Sequence, residues 1–596
     1  MRRLLLPTAL LVLVPLFAFS TLSPGPSGTD AEQVGLVTPA TEDFTPVMYE
    51  QILREEGFPY RTVDPSELVA MTPRQMRSRF AALVFPEVVN AALPPELAPR
   101  LAEYVRSLGG LILVVGDPGT RAPDGTALAP PLLADLTGVY YTAPNGTPPT
   151  GYWFFPSREA ARAWGFTPGK VNREGAVCGY GYGPLTYHYY PARTEGAAEL
   201  AWGRGPGGRQ PVLTERHHPG GGTVVYCAIP LGFFKANSDD LPLRAVMRTF
   251  LIRYVHLPRL VNTPGGRGGF VFNLHICSGT YLKPLRTMLG GDVFSPETPF
   301  SIHITAGPDC NWPGDRLGFD AANPLKGKPL VLTLREYGYV GSHGGWIHNY
   351  FAFNAEKIPR RQALEYLARN FTTLEDLTGE RIVEYSSPGG VHPPWLNAWL
   401  EEHGVVAYYH PGDTGSSPTH PRYRGESYSQ AMWAFPISSY DRYASLEDLH
   451  RARVPQAEAA SWLRDLVDFA IHERVIRTFY THPSADPYNL GLLEGLAADL
   501  RAAVAAERLT VAPMSTFAAF LDRHQQTSWL VRRAADRYLI ELKNPLGLQD
   551  ITVAVYVGPE RRYRVLATGV RVEEQDGWVY VTVSDQEAAK RIVVRY

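Results

Sequence analysis

The chain has 596 residues, of which 45% are hydrophobic and 19% charged, with a formal net charge of −2. That is the composition of a soluble globular protein long enough for several domains with large cores. The near-neutral charge leaves no electrostatic footprint for nucleic acid.

The first residues read MRRLLLPTALLVLVPLFAFSTLSPGPSG. Arg2 and Arg3 form a positive flank, an apolar run follows, and Ala18 to Ser20 looks like a small-residue cleavage site ahead of a Pro/Gly/Ser stretch. Residues 1–24 are expected to be an export signal. The run is almost long enough to span a bilayer, so an uncleaved membrane tether is the alternative. Either way the expected location is secreted or cell envelope. The four cysteines, Cys178, Cys227, Cys277 and Cys310, permit disulfides outside the cytoplasm, and sequence does not choose among their pairings.

From residue 33 to 260, short apolar runs alternate with amphipathic helices. QVGLVT is strand-like, TPVMYEQILREEGF is helical, and RFAALVFPEVV is again a strand. PELAPRLAEYVRSLGG places Leu97, Leu101, Tyr104, Val105 and Leu108 on one helical face and stops at Gly109-Gly110. The expectation is a doubly wound parallel sheet. In pattern the region resembles flavodoxin-like or glutamine-amidotransferase-like domains. The turn near VFPEVVN has no nucleophilic cysteine, so the domain is expected to be non-catalytic.

VNTPGGRGG (Val261 to Gly269) reads as a linker. Eight strand candidates follow between residues 265 and 525: GFVFNLHIC, FSIHITAG, LVLTLREYG, RIVEYSSPGG, VVAYYH, AMWAFPIS, RTFYTHP and RLTVAPM. With helices between several of them, they suggest a closed or nearly closed (β/α) barrel. Residues 526–596 alternate in period two, as in ITVAVYVGP and GWVYVTVS, and suggest a small β-sandwich. The expected fold is thus a multidomain α/β protein: parallel sheet, barrel, sandwich.

Barrel enzymes gather reacting groups at the C-terminal ends of the strands. Those ends here carry His275 and Cys277 in LHICSG, Asp309 in TAGPDC, His343 and His348 in GSHGGWIH, and His482 in YTHP. Imidazoles with a carboxylate suit zinc or a similar divalent metal, with one position open for water. A spacing of five from His343 to His348 does not suit one helical face, so the pair is expected to act from a loop whose glycines fold both rings inward.

In this order of motifs, residues 265 to 525 resemble the NodB-type polysaccharide deacetylases. GSHGGWIH is similar to the family's two-histidine loop, SSPGG to the turn that shapes its groove, and YTHP to its late histidine. The resemblance implies metal-assisted hydrolysis of N-acetyl groups, an amide C–N bond, on an amino-sugar polymer. It implies His343 and His348 as metal ligands, His482 as general acid, and Pro388 and Gly389 at the groove. Two departures stand out. The arginine usual near the start of SSPGG is absent, and HICSG replaces the paired aspartates of the first motif. Three outcomes stay open: His275 or Cys277 completes a different metal site, Asp309 supplies the carboxylate, or the site is inactive and the barrel binds polysaccharide without cleaving it. The expected set is therefore His343, His348 and His275 for metal, and His482 with Asp309 for catalysis. Trp346 and Trp395 are candidates to stack on sugar. Cys277 and Cys310 end adjacent strands, so a disulfide between them competes with a ligand role for Cys277. A glycoside hydrolase would need paired carboxylates; Asp309 and Asp486 are available, but no clear pair emerges.

Overall fold

The computed structural model describes residues 32–38, 43–87, 89, 93–141, 149–189, 191–237, 239–410 and 415–596. The expected export signal at 1–24 lies outside the described residues. No helix among the described residues is long and apolar enough to cross a membrane.

The first unit is built on a nine-stranded sheet. Strands Tyr60–Val63, Val34–Val37, Ala82–Phe85, Leu111–Val115 and Thr223–Cys227 run parallel, in that spatial order. Strands Gly208–His217, Ala198–Gly205, Thr150–Phe154 and Thr186–His188 extend it antiparallel. The expected all-parallel sheet is therefore half of a mixed one. A tight turn at Gly205–Gly208, with Gly208 at φ +80°, joins two of the added strands. Antiparallel neighbours need only such a turn, whereas parallel ones need a crossover. Helix Leu97–Arg106 buries Leu97, Leu101, Tyr104 and Val105 against this sheet's core, each apolar side chain contributing roughly 1.5–3 kcal/mol.

The second unit holds eight parallel strands, numbered here β1 to β8: Gly268–Ile276, Phe300–Ile304, Gly338–His343, Glu384–Ser386, Ala407–His410, Trp433–Pro436, Ile476–Thr481 and Leu509–Val511. Their order is β6-β5-β4-β3-β2-β1-β7, with β8 on the start of β1. One bridge, Ile437 to Thr478, links the end of β6 to β7 and nearly closes the barrel. The stretch LVLTLREYG, expected to be a strand, is helix Gly327–Leu334 with one further turn. Its buried residues Leu330, Val331 and Leu334 lie three and four apart, on one helical face. The strand at that place is β3, which follows it.

Two four-stranded antiparallel sheets end the chain, and side chains from both share one buried cluster. Strand Arg259–Val261 belongs to one of them, pairing with Thr552–Tyr556. The expected linker thus begins as sheet and continues through buried Gly265 and Gly266. The first unit is fixed to the barrel by buried charges. Arg244 reaches Glu55, Glu56 and Asp240 at 2.5–2.7 Å. Glu55 also accepts from Thr419, and Asp240 from Ser416, both in the barrel. Removing one member of such a cluster costs about 3–5 kcal/mol, because it strands a buried charge.

Candidate metal centre at the barrel mouth

Alternation along β1 puts Asn273, His275 and then Cys277 on the lumen side. His275 pairs in register with His303 of β2, and His303 with Gly341 of β3. A Cβ at Gly341 would stand 2.6 Å from the His303 ring, so only glycine leaves room for it. His303 Nε2 lies 3.2 Å from Glu384 Oε2, both fully buried. This pair forms the floor beneath the mouth.

His343 is the last residue of β3, and His348 the first of helix His348–Asn354. Four residues connect them, as a loop-borne pair requires. Gly344 takes φ +65°, and a Cβ there would lie 2.2 Å from Pro388 Cγ. Pro388 therefore packs on the loop, and Gly389, at φ +60°, shapes the turn that brings it there.

The hydrogen bonds are consistent with an N–H at Nδ1 of each imidazole. His343 Nδ1 lies 3.2 Å from the Ser386 carbonyl and 2.6 Å from its hydroxyl. A carbonyl only accepts, so Nδ1 donates. Asn349 donates its amide to Asn311 Oδ1 at 2.7 Å, so its own Oδ1 accepts from His348 Nδ1 at 2.7 Å. The two Nε2 atoms face each other at 2.9 Å, so with both rings neutral each would turn a lone pair toward the other. Two lone pairs at that distance repel unless a proton or a metal ion lies against both. Cys277 Sγ completes the group: ligand atoms of Cys277, His343 and His348 all lie within 4.8 Å of one another. A thiolate with two neutral imidazoles, each oriented by a hydrogen bond on its other nitrogen, fits zinc.

With no ion bound, the electrostatics pair a thiolate with an imidazolium: burial opposes the charge on His348, but Cys277 outweighs it and raises that histidine. Burial pushes the Cys277 thiol up, but the imidazoles of His348, His343 and His482 outweigh it and hold it well below the usual thiol range. Burial lowers His343 to about 4. His482, at the end of β7, is raised to about 10: burial opposes the charge, while Cys277 and Glu447 favour it more strongly. Its Nδ1 is 3.6 Å from Glu447 Oε2, and its ring stacks on Tyr281 at 5.6 Å. A cleft of about 500 Å³, lined by Tyr281, Glu447, His450 and Asp486 among others, opens beside it.

The remaining expected residues fall differently. His275 is buried with Nε2 unpartnered, its ring 4.3 Å from that of His343. It backs the site, and Cys277 stands in the ligand group where His275 was expected. Asp309 accepts from the Gly314 and Arg316 amides at 2.8 and 2.9 Å. Both its oxygens are engaged in holding a loop, which leaves no base there. Asp486 caps helix Pro487–Ala505. Trp346 is only 9% exposed, within the barrel core under the Arg369 guanidinium, and has no free face for a sugar. Trp395 is half-buried, with Arg360 5.6 Å above its ring. The Cys277–Cys310 disulfide is absent: both are thiols, and Cys310 Sγ lies 3.8 Å from the Cys277 carbonyl oxygen. Glu447, Asn349 and Ser386 escaped sequence reasoning. Asn349 carried a signal as an amide directly after a candidate ligand, and Ser386 as the first residue of SSPGG.

No family model matches the sequence, and no curated protein matches it. Among solved structures, the chain is similar to a β-galactosidase from Rahnella sp. R3, at 15% identity over 39% of this chain and 32% of that one, TM-score 0.28. It is also similar to a polysaccharide deacetylase from Bacillus cereus, at 13% identity over 41% of this chain and 92% of that one, TM-score 0.26. A family 4 carbohydrate esterase from Streptomyces lividans aligns at 11% identity over 41% of this chain and 98% of that one, TM-score 0.26. The chain thus spans about a third of the β-galactosidase's length.

Proposed function

We propose that the chain is an exported, metal-dependent amide hydrolase that removes N-acetyl groups from an amino-sugar polymer at the cell envelope. The observation that carries the metal is the pair of facing His343 and His348 Nε2 atoms beside the Cys277 sulfur. The order of the histidine loop, the Pro-Gly turn and the late histidine supports the reaction class. The N-terminal apolar segment supports export, and the unit at 33–260 is read as non-catalytic.

Cys277, His343 and His348 would hold the ion. A divalent ion bound there supplies a water that is nucleophilic near neutral pH. Ser386 and Asn349 keep the imidazoles aimed, and burial keeps competing water away from them. His482, held protonated by Cys277 and Glu447, donates its proton to the departing amine nitrogen. The test is acetate release from N-acetylated oligosaccharides. His482→Ala should keep the metal and the fold and lose 10²–10⁴-fold in rate, the usual loss for a general acid. Release by the wild type that His482→Ala leaves unchanged would remove His482 as the acid. No release from any polymer would leave a carbohydrate-binding barrel.

One observation favours a second mechanism. Cys277 is held toward thiolate and His348 toward imidazolium, the pattern of a cysteine nucleophile. Activity that survives chelation and is destroyed by thiol alkylation would select it.

A further inference from the structure

Most large apolar side chains of the barrel are buried, but Trp312 is 62% exposed. It stands on the loop that leaves β2 at the mouth. That loop is held far more tightly than its exposure suggests. Asp315 accepts from the amides of Cys310, Asn311, Trp312 and Leu317 at 2.7–3.2 Å. Asp309 takes the amides of Gly314 and Arg316. Pro313 follows the tryptophan and restricts its backbone to extended conformations. The loop is also bolted to the reaction centre. Asn349 donates its backbone N–H to the Cys310 carbonyl at 2.7 Å and its side-chain amide to Asn311, while its oxygen orients His348.

An indole held out in water exposes apolar surface at a cost, and ordering its loop costs conformational entropy. Both costs are recovered when a ligand covers the ring, because the immobilised platform loses little freedom on binding. The indole face is electron-rich, and the C–H groups on one face of a pyranose are its natural complement. Trp312 stands one residue from Asn311, which accepts from the Asn349 amide whose oxygen in turn orients His348, so a polymer reacting at the centre has its neighbouring unit on the side of the ring. We propose that Trp312 is a stacking platform for a pyranose of the glycan chain next to the unit that reacts. The polymer class rests on the proposed deacetylase function, but the platform is testable without turnover. Asp309 gains a role on this account: it positions the platform.

The experiment is calorimetric titration of the full chain with β-linked N-acetylglucosamine, as the monomer and as the pentamer. The wild type is expected to bind the pentamer more tightly than the monomer. Trp312→Ala should weaken pentamer binding roughly tenfold and leave monomer binding and zinc content unchanged, and Trp312→Phe should recover part of the loss. Equal pentamer affinity in Trp312→Ala, or no pentamer binding by the wild type, overturns the platform. Acetate is assayed in the same samples. Trp312-dependent binding without acetate release would uphold the platform and remove the hydrolase.

Discussion

Two buried cysteines stand at the ends of parallel strands in this protein, and their environments drive them in opposite directions. Cys227 ends strand Thr223–Cys227 in the first unit; burial raises its thiol to about 12, and the Glu87 carboxylate adds to the effect. Cys277 follows β1 in the barrel and is held far below the usual range by three imidazoles. The two strand ends differ in what surrounds the sulfur. Near Cys227, Glu87 already takes the Tyr49 hydroxyl at 2.6 Å and the Phe233 amide at 3.0 Å, so the polar groups satisfy one another. Near Cys277, two imidazole nitrogens converge at 2.9 Å beside the sulfur, and all three are ligand atoms. Position at the C-terminal end of a parallel strand is therefore not enough to make a candidate site; the convergence of several ligand atoms distinguishes the second strand end from the first.

The largest expected effect separates the two thiols directly. Cys277→Ser should reduce acetate release by more than about 10²-fold, because it removes the anionic ligand or nucleophile. Cys227→Ser should leave the rate within about twofold and cost roughly 1–3 kcal/mol of stability for a buried hydroxyl. Equal loss in both would erase the contrast. In chelated protein at neutral pH, iodoacetamide should label Cys277 ahead of Cys227, since the thiolate is the reacting form. Peptide mapping that finds Cys227 labelled first would break the comparison.

A pH profile sharpens it. His482 is raised to about 10, so it keeps its proton through neutrality and loses it as pH rises through about 10. The stability it contributes is likewise fully present below the ordinary histidine value of about 6.5 and is lost as pH climbs through about 10. Glu447→Gln removes one source of that rise, so the alkaline limb of the rate should move toward neutral pH. A limb that stays in place would show that Glu447 does not act on His482. The smallest expected effect concerns the loop. Gly344→Ala puts a Cβ against Pro388 at a positive φ, and thermal unfolding should report a loss of about 1–3 kcal/mol. An unchanged melting temperature would mean that the loop can relax without cost.

Much of the barrel was legible because its strands are short apolar runs separated by helical segments. The third was misplaced because LVLTLREYG alternates like a strand, while the strand itself, GYVGSH, holds two glycines, a serine and a histidine. Tertiary placement between neighbours overrode that weak propensity. The two-histidine loop was legible from its glycines. The third member of the candidate ligand group was not settled by sequence: His275 and Cys277 share one strand face, and only the loop's fold decides which of them meets the two Nε2 atoms. Glu447 was invisible, since it sits in the first turn of helix Leu446–Arg451 with no motif around it. The linker reading of Val261 to Gly269 failed because the segment packs closely: a Cβ at Gly266 would stand 2.7 Å from the side chain of Thr552 in a sheet strand, and Gly265 donates its amide to the Asp550 carbonyl at 2.9 Å.

The central claim is that Cys277, His343 and His348 together hold one divalent ion. Its most direct test is the metal content of the full-length protein as purified, after chelation and after zinc is restored, beside a folded His343→Ala/His348→Ala variant. Close to one ion per chain is expected in the wild type, lost on chelation and regained with zinc, and none in the variant. Equal metal in both proteins, or none in the wild type after zinc is restored, would contradict it.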